Sequence, residues 1–312
     1  MRIIFMGSPA DVIPPLQAVM DWCGSNGGHL EVVSQPARPA GRRKKLTDPP
    51  LAEFARQQDL PLHQPERASS PEFLTILAGL KPDLIITAAY GQILSEDFLA
   101  IPTRGTINIH PSLLPEYRGA IPVPAALLDG KTETGISILF TVRALDAGSL
   151  ILQKRVSIDR SETAGDLTVR LFRESAAMLP EALALLQDPE FRGQPQDESR
   201  VTHCRRIAKE EGRINWSLPA TTILNRFRAF EPWPGSWTET ARGRLKIMAM
   251  EPAPGAPGIA PGQPQLQPDK GVLVGTGDGA VLITRVKPAG GKDTPALAWW
   301  NGLKPEHKAG FP

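Results

Sequence analysis

Only two cysteines occur in the 312 residues, Cys23 and Cys204, far apart and outside any C-x-x-C pair. That excludes a disulfide framework and fits a reducing cytosol. The five histidines are scattered. With no H-E-x-x-H and no Cys/His cluster at ligand spacing, no metal is expected. No apolar run approaches the ~18 residues of a membrane span. The opening MRIIFMGSPA is broken by Gly7 and Pro9 too early for a signal peptide, so it reads as a first strand. Also missing are a P-loop and the G-x-S-x-G elbow of a hydrolase nucleophile. MGSP places a single glycine after a strand where a dinucleotide fingerprint needs three. An internal repeat is absent too.

Proline and glycine are plentiful, 32 and 28 residues, and imply many turns and stiff connections. The length allows a real core and two domains. Net charge is only +2, but it is unevenly placed. Residues 205–312 carry 15 Lys/Arg against 9 Asp/Glu, and residues 1–204 carry 20 against 24. A basic C-terminal third on a mildly acidic body suits an anionic partner such as nucleic acid, or simply a solvated basic face.

Periodicity predicts strands at 2–6, 30–34, 83–88, 105–110, 135–142 and 151–157. Helices are predicted at 11–23, near 49–58, at 72–80 and near 95–100, with a long amphipathic one over 163–187. Alternating strands and helices, with the strands apolar throughout, point to an α/β fold whose parallel sheet is covered on both faces. After Asp188 the polar, turn-rich PEFRGQPQDESRV reads as a linker. Beyond about 207 a helix at 219–229 precedes short strands divided by Gly/Pro clusters, the grammar of a small β-barrel. The expected division is a catalytic domain over 1–189, a linker over 190–206 and a second domain over 207–312.

The stretch INIHPSLLPEYRG, residues 107–119, holds the densest chemistry. Residues two apart on a strand share a face, so Asn108 and His110 point the same way. They stand at the carboxyl end of a strand, where open α/β sheets place their sites. An amide donor beside an imidazole suits a reaction in which a carbonyl oxygen gains negative charge. Asp146, following a strand and preceding a turn, is the candidate partner to set the imidazole's charge. A capping Asn, a hydrogen-bonded structural His and a turn Asp are the better account of each residue taken singly; together at a strand mouth they favour a site without naming the reaction. The segment ARPAGRRKKL (37–46) carries Arg38, Arg42, Arg43, Lys44 and Lys45, with Pro and Gly to keep it out of regular structure. It reads either as a phosphate grip or as a solvated loop.

Along nearly its whole length the chain resembles the methionyl-tRNA formyltransferases. The resemblance rests on RIIFMGSP, SQPARPAGRRKKL, AAYGQILSEDFLAIPTRGTINIHPSLLPEYRGAIP, LDAGSLI, RINWS and RAFEPWPGSW. It implies a Rossmann-like N-terminal domain and an OB-like C-terminal barrel that helps hold tRNA. It implies transfer of a formyl group from 10-formyltetrahydrofolate to the methionyl α-amine of initiator methionyl-tRNA. By the same resemblance Asn108 and His110 bind the formyl oxygen and Asp146 sets the protonation of His110. Ser112, Leu113, Leu114 and Pro115 line the folate pocket, and Arg38, Arg42, Arg43, Lys44 and Lys45 hold tRNA. A cytoplasmic monomer without metal is expected. The chain departs from the usual family pattern at Ser8–Val12, at Ala37 and at Ile121–Pro124.

Overall fold

A computed structural model describes every residue except 42, 43, 257 and 309. Two compact units emerge from its contacts. One comprises Met1–Pro122, Glu133–Ser157 and Thr168–Cys204; the other comprises Val123–Thr132, Ile158–Leu167 and Arg205–Pro312.

In chain order the elements up to residue 185 are β1 (Arg2–Gly7), α1 (Ile13–Asn26), β2 (His29–Val33), β3 (Arg38–Ala40), β4 (Lys45–Thr47), α2 (Pro50–Gln57), β5 (Leu62–His63), α3 (Pro71–Leu80), β6 (Leu84–Ala88), α4 (Glu96–Leu99), β7 (Thr106–His110), α5 (Pro122–Leu128), β8 (Glu133–Phe140), β9 (Leu150–Ser157), α6 (Ala164–Ala176) and α7 (Leu179–Leu185). Seven strands form one sheet in the order β5-β2-β1-β6-β7-β8-β9. The apolar runs RIIFM and LIITA become β1 and β6, buried almost end to end because helices cover both faces. Ile4, Met6, Val33 and Ile85 pack with Phe73, Leu77 and Phe98 on one such face. Each of these side chains contributes about 1.5–3 kcal/mol by leaving water. Local signals set the helix ends. Two prolines open α1, and Gly27 closes it at φ +60°. Ser70 caps α3 by accepting from the Phe73 amide at 3.3 Å.

Three expectations change. The sheet is mixed: β5, β2, β1, β6 and β7 are parallel, but β8 runs antiparallel to β7 and β9 antiparallel to β8. β8 and β9 form a hairpin, which needs no crossover helix, and β9 exposes Gln153, Lys154 and Arg155 as an edge strand. The long helix over 163–187 is broken into α6 and α7 at Pro180, which lacks an amide proton and would clash with the carbonyl one turn earlier. Within the basic segment, Arg38–Ala40 and Lys45–Thr47 are not irregular but pair as β3 against β4, with Gly41 at φ +67°. Arg42 and Arg43 lie outside the described residues.

The second unit continues with α8 (Ala220–Phe230), β10 (Ser236–Thr240), β11 (Gly243–Pro252), β12 (Pro264–Gln267), β13 (Gly271–Gly275), β14 (Ala280–Pro288), β15 (Thr294–Pro295) and α9 (Ala296–Asn301). Its strands are antiparallel in the order β10-β11-β14-β13-β12, with β15 also on β14. Alternate residues of β11, β13 and β14 (Leu245, Ile247, Val272, Val274, Val281, Ile283) turn inward onto Trp216, Phe227, Trp300 and Phe311. The Gly/Pro clusters that suggested short strands occupy the turns between them.

Candidate active site

β7 ends on the site. Its register beside β6 sets Thr87 opposite Asn108. The Thr87 hydroxyl lies 3.0 Å from the Ile107 carbonyl and 2.9 Å from Asn108 Oδ1. Asn108 Nδ2 faces Asp146 Oδ1 at 3.4 Å. A carboxylate cannot face an amide oxygen without repulsion, so Asp146 fixes which way this amide points. One N–H is turned to Asp146, and the other meets no acceptor among the described residues.

His110 is 4% exposed. Its Nε2 is 3.0 Å from the Tyr117 carbonyl, which accepts only from a protonated nitrogen, so Nε2 carries a hydrogen. Nδ1 is therefore the nitrogen presented toward Asp146, whose Oδ2 lies 3.7 Å away. The same Oδ2 accepts from the Gly119 amide at 2.8 Å. Asp146 thus meets all three groups from one carboxylate, and it does so with its own backbone in the left-handed region at φ +51°. Gly119 sits at φ +125°, and a Cβ there would lie 2.8 Å from the Cys204 carbonyl and 2.9 Å from its Sγ. Only glycine brings that amide to the carboxylate.

Burial pulls the His110 imidazole below its ordinary value, opposed by the charge of Asp146 and by the Tyr117 carbonyl. With Nε2 held by the Tyr117 carbonyl, Nδ1 is turned to the Asp146 carboxylate, an anion placed to stabilise an imidazolium. An unfolded histidine takes its proton near pH ~6.5. The folded one takes it only at lower pH, so the unfolded state binds more protons in between and stability falls as pH drops below about 6.5. Urea midpoints measured from pH 7.5 to 5.5 should decline more steeply for the unaltered chain than for His110→Gln. Parallel declines would show that the imidazole does not titrate differently in the fold.

The other expected residues are placed as follows. Ser112 is fully buried, its hydroxyl donating to the Glu116 carbonyl at 2.8 Å and its carbonyl accepting from Ser137 Oγ at 2.7 Å. The Leu114 amide donates to Ser137 Oγ at 3.1 Å, and its carbonyl accepts from Gln153 at 2.8 Å. With Leu113 half-buried and Pro115 buried, this segment is a rigid wall beside β7, its polar groups already satisfied internally. Lys44 and Lys45 are exposed on the β3–β4 hairpin, where Lys44 has φ +47°. Arg38, at the base of the hairpin, pairs with Glu66 at 2.6 Å. Two loops near the site carry large apolar side chains in water: Ile93 (94% exposed) after β6, and Val142 and Leu145 between β8 and β9. Arg143 and Glu96 tie these loops together at 3.1 Å.

Sequence reading did not single out Thr87 or the Gly119 amide. Thr87 had a signal, as the one polar residue of LIITA; the role of Gly119 depends on contacts with residues far along the chain.

Comparison with known proteins is consistent across the chain. The family model described as "Formyl transferase" matches residues 1–183, and "Formyl transferase, C-terminal domain" matches residues 206–304. A protein of Moorella thermoacetica named methionyl-tRNA formyltransferase is 40% identical over 305 residues, covering 97% of this chain and 96% of its own. One of the same name from Roseiflexus castenholzii is 39% identical over 304 residues, with the same coverage. Among solved structures, HypX from Aquifex aeolicus in complex with tetrahydrofolic acid shares the fold at a TM-score of 0.64 and 20% identity, over 100% of this chain and 50% of that one.

Proposed function

Because the chain belongs to the methionyl-tRNA formyltransferase family, we propose that it moves the formyl group of 10-formyltetrahydrofolate onto the methionyl α-amine of initiator methionyl-tRNA, the modification that precedes translation initiation. The observation that carries this reading is the convergence of Asn108, His110 and Asp146 on one point at the end of β7.

In that reaction the amine attacks the formyl carbon, the formyl oxygen gains negative charge, and the bond from the carbon to the folate nitrogen breaks. The free N–H of Asn108 donates to that oxygen, an interaction that strengthens as the charge grows. His110 takes the proton that the attacking nitrogen must lose, through Nδ1, as a cation beside Asp146 and the new oxyanion, and returns it to the folate nitrogen as the C=O re-forms and that nitrogen departs. Asp146 favours that cation and so raises the basicity that burial lowers. Ser112, Leu113, Leu114 and Pro115 form the wall against which the folate rests, with Ile93, Val142 and Leu145 as its apolar rim. We assign tRNA contact to Arg38, Arg42, Arg43, Lys44 and Lys45 on and around the hairpin, and to the basic C-terminal domain. In this division residues 1–189 carry the catalytic groups, 190–206 run on along the catalytic unit toward the second domain, and 207–312 form an OB-like platform. We read the enzyme as a cytoplasmic monomer.

The direct test offers the purified chain 10-formyltetrahydrofolate with charged initiator tRNA, charged elongator tRNA or an amino-sugar nucleotide. Formylation of the initiator alone supports the proposal. Formylation of the sugar alone would retain the chemistry and overturn the acceptor.

A further inference from the structure

The stretch expected to be a linker is bonded along much of its length to the catalytic unit. Gln194 exchanges two backbone hydrogen bonds with Leu150, at 2.7 and 2.8 Å. Thr202 accepts from the Arg118 amide through its carbonyl at 2.9 Å and from the Tyr117 amide through its hydroxyl at 2.8 Å. The Cys204 amide donates to the Arg118 carbonyl at 2.9 Å. Between these contacts lies Gln196, and both ends of its side chain are used. Its Nε2 donates to the carbonyls of Asp146 and Gly148, each at 2.8 Å. Its Oε1 accepts from Arg118 Nε at 3.2 Å and Nη2 at 2.9 Å. Arg118 is 5% exposed and reaches onward to Glu198 at 2.7 Å.

We infer that Gln196 is a positioning residue for the formyl-transfer site: its amide joins the loop bearing Asp146 to the loop bearing Tyr117 and Gly119, and so fixes where the Asp146 carboxylate meets His110. Two facts carry this. Asp146 holds a left-handed backbone at φ +51°, a conformation that needs support from its surroundings, and the Gln196 amide bonds its carbonyl directly. The two loops Gln196 joins supply the remaining contacts of the trio, the Tyr117 carbonyl to His110 and the Gly119 amide to Asp146. A carboxylate displaced by even an ångström no longer matches the charge developing on the imidazole, while the substrate surfaces stay where they are.

The inference rests on the functional reading above, and the test separates the two. Gln196→Glu keeps the size and still accepts from Arg118, but turns an oxygen to both carbonyls in place of the amide hydrogens. Gln196→Met keeps the length and loses both functions. In steady-state formyl transfer with full-length protein, both variants should lose about tenfold or more in kcat, with KM for the formyl donor within about threefold of the unaltered value. A role confined to stability would lower the melting temperature and leave kcat at 25 °C unchanged. Should the methionine variant fail to fold, the glutamate variant decides alone. Full kcat in Gln196→Glu overturns the inference. No formyl transfer by the unaltered chain overturns the functional reading and this inference with it.

Discussion

Replacing His110 or Asn108 by alanine is expected to lower turnover at least ~10²-fold, the scale of removing one oxyanion donor from a preorganised site. The folded core should tolerate the Asn108 change, because that side chain is only half-buried and its partners Thr87 and Asp146 have other contacts. His110 is more deeply placed, so its variant needs a melting curve beside the kinetics. Affinity for the folate and for tRNA should change far less, since these contacts strengthen mainly as charge develops. Single-turnover rates with bound substrates separate the effects. Intact turnover per bound complex together with weakened binding would remove both residues from the chemistry.

The second large effect is electrostatic. Lys44 and Lys45 are exposed at the hairpin turn, and no ion pair holds either of them among the described residues. Each phosphate contact on a duplex releases counterions worth a slope of about 0.9 in log K against log salt. Neutralising Arg42, Lys44 and Lys45 together should flatten that slope by up to ~2.7 and weaken tRNA binding most at low salt. Arg38 should matter less alone, because Glu66 already offsets part of its charge. Folate binding should be untouched. An unchanged slope in a filter-binding titration would make the hairpin a solvated surface feature.

What the sequence made legible follows the reach of each signal. Asn108 and His110 were readable together because strand periodicity is local and both lie within one five-residue strand. Asp146 was readable as a turn residue, although nothing local announces that one of its oxygens meets both His110 and Gly119. The break at Pro180 was equally local and was obscured by the helical spacing of its neighbours. β8 and β9 were found as strands, but direction is a pairing property, and an apolar strand reads alike either way. The composition of residues 190–206 suggested a tether because polar, turn-rich chain usually is one. The polarity of Gln196, Glu198 and Thr202 instead serves buried Arg118 and the backbone of the site loops, partners some 48 to 85 positions earlier. No window of sequence spans that distance.

The bonds that close on Arg118 also set a clock. A ribosome adds about 5–20 residues each second. Cys204 is made 86 residues after Arg118, so roughly 4–17 s pass between synthesis of the loop and synthesis of the last residue that holds it. Through that interval β1 to β7 can pair, while the Arg118 guanidinium still lacks its acceptors and the Asp146 loop its brace. Catalytic competence therefore arrives only as the final stretch of the first unit emerges.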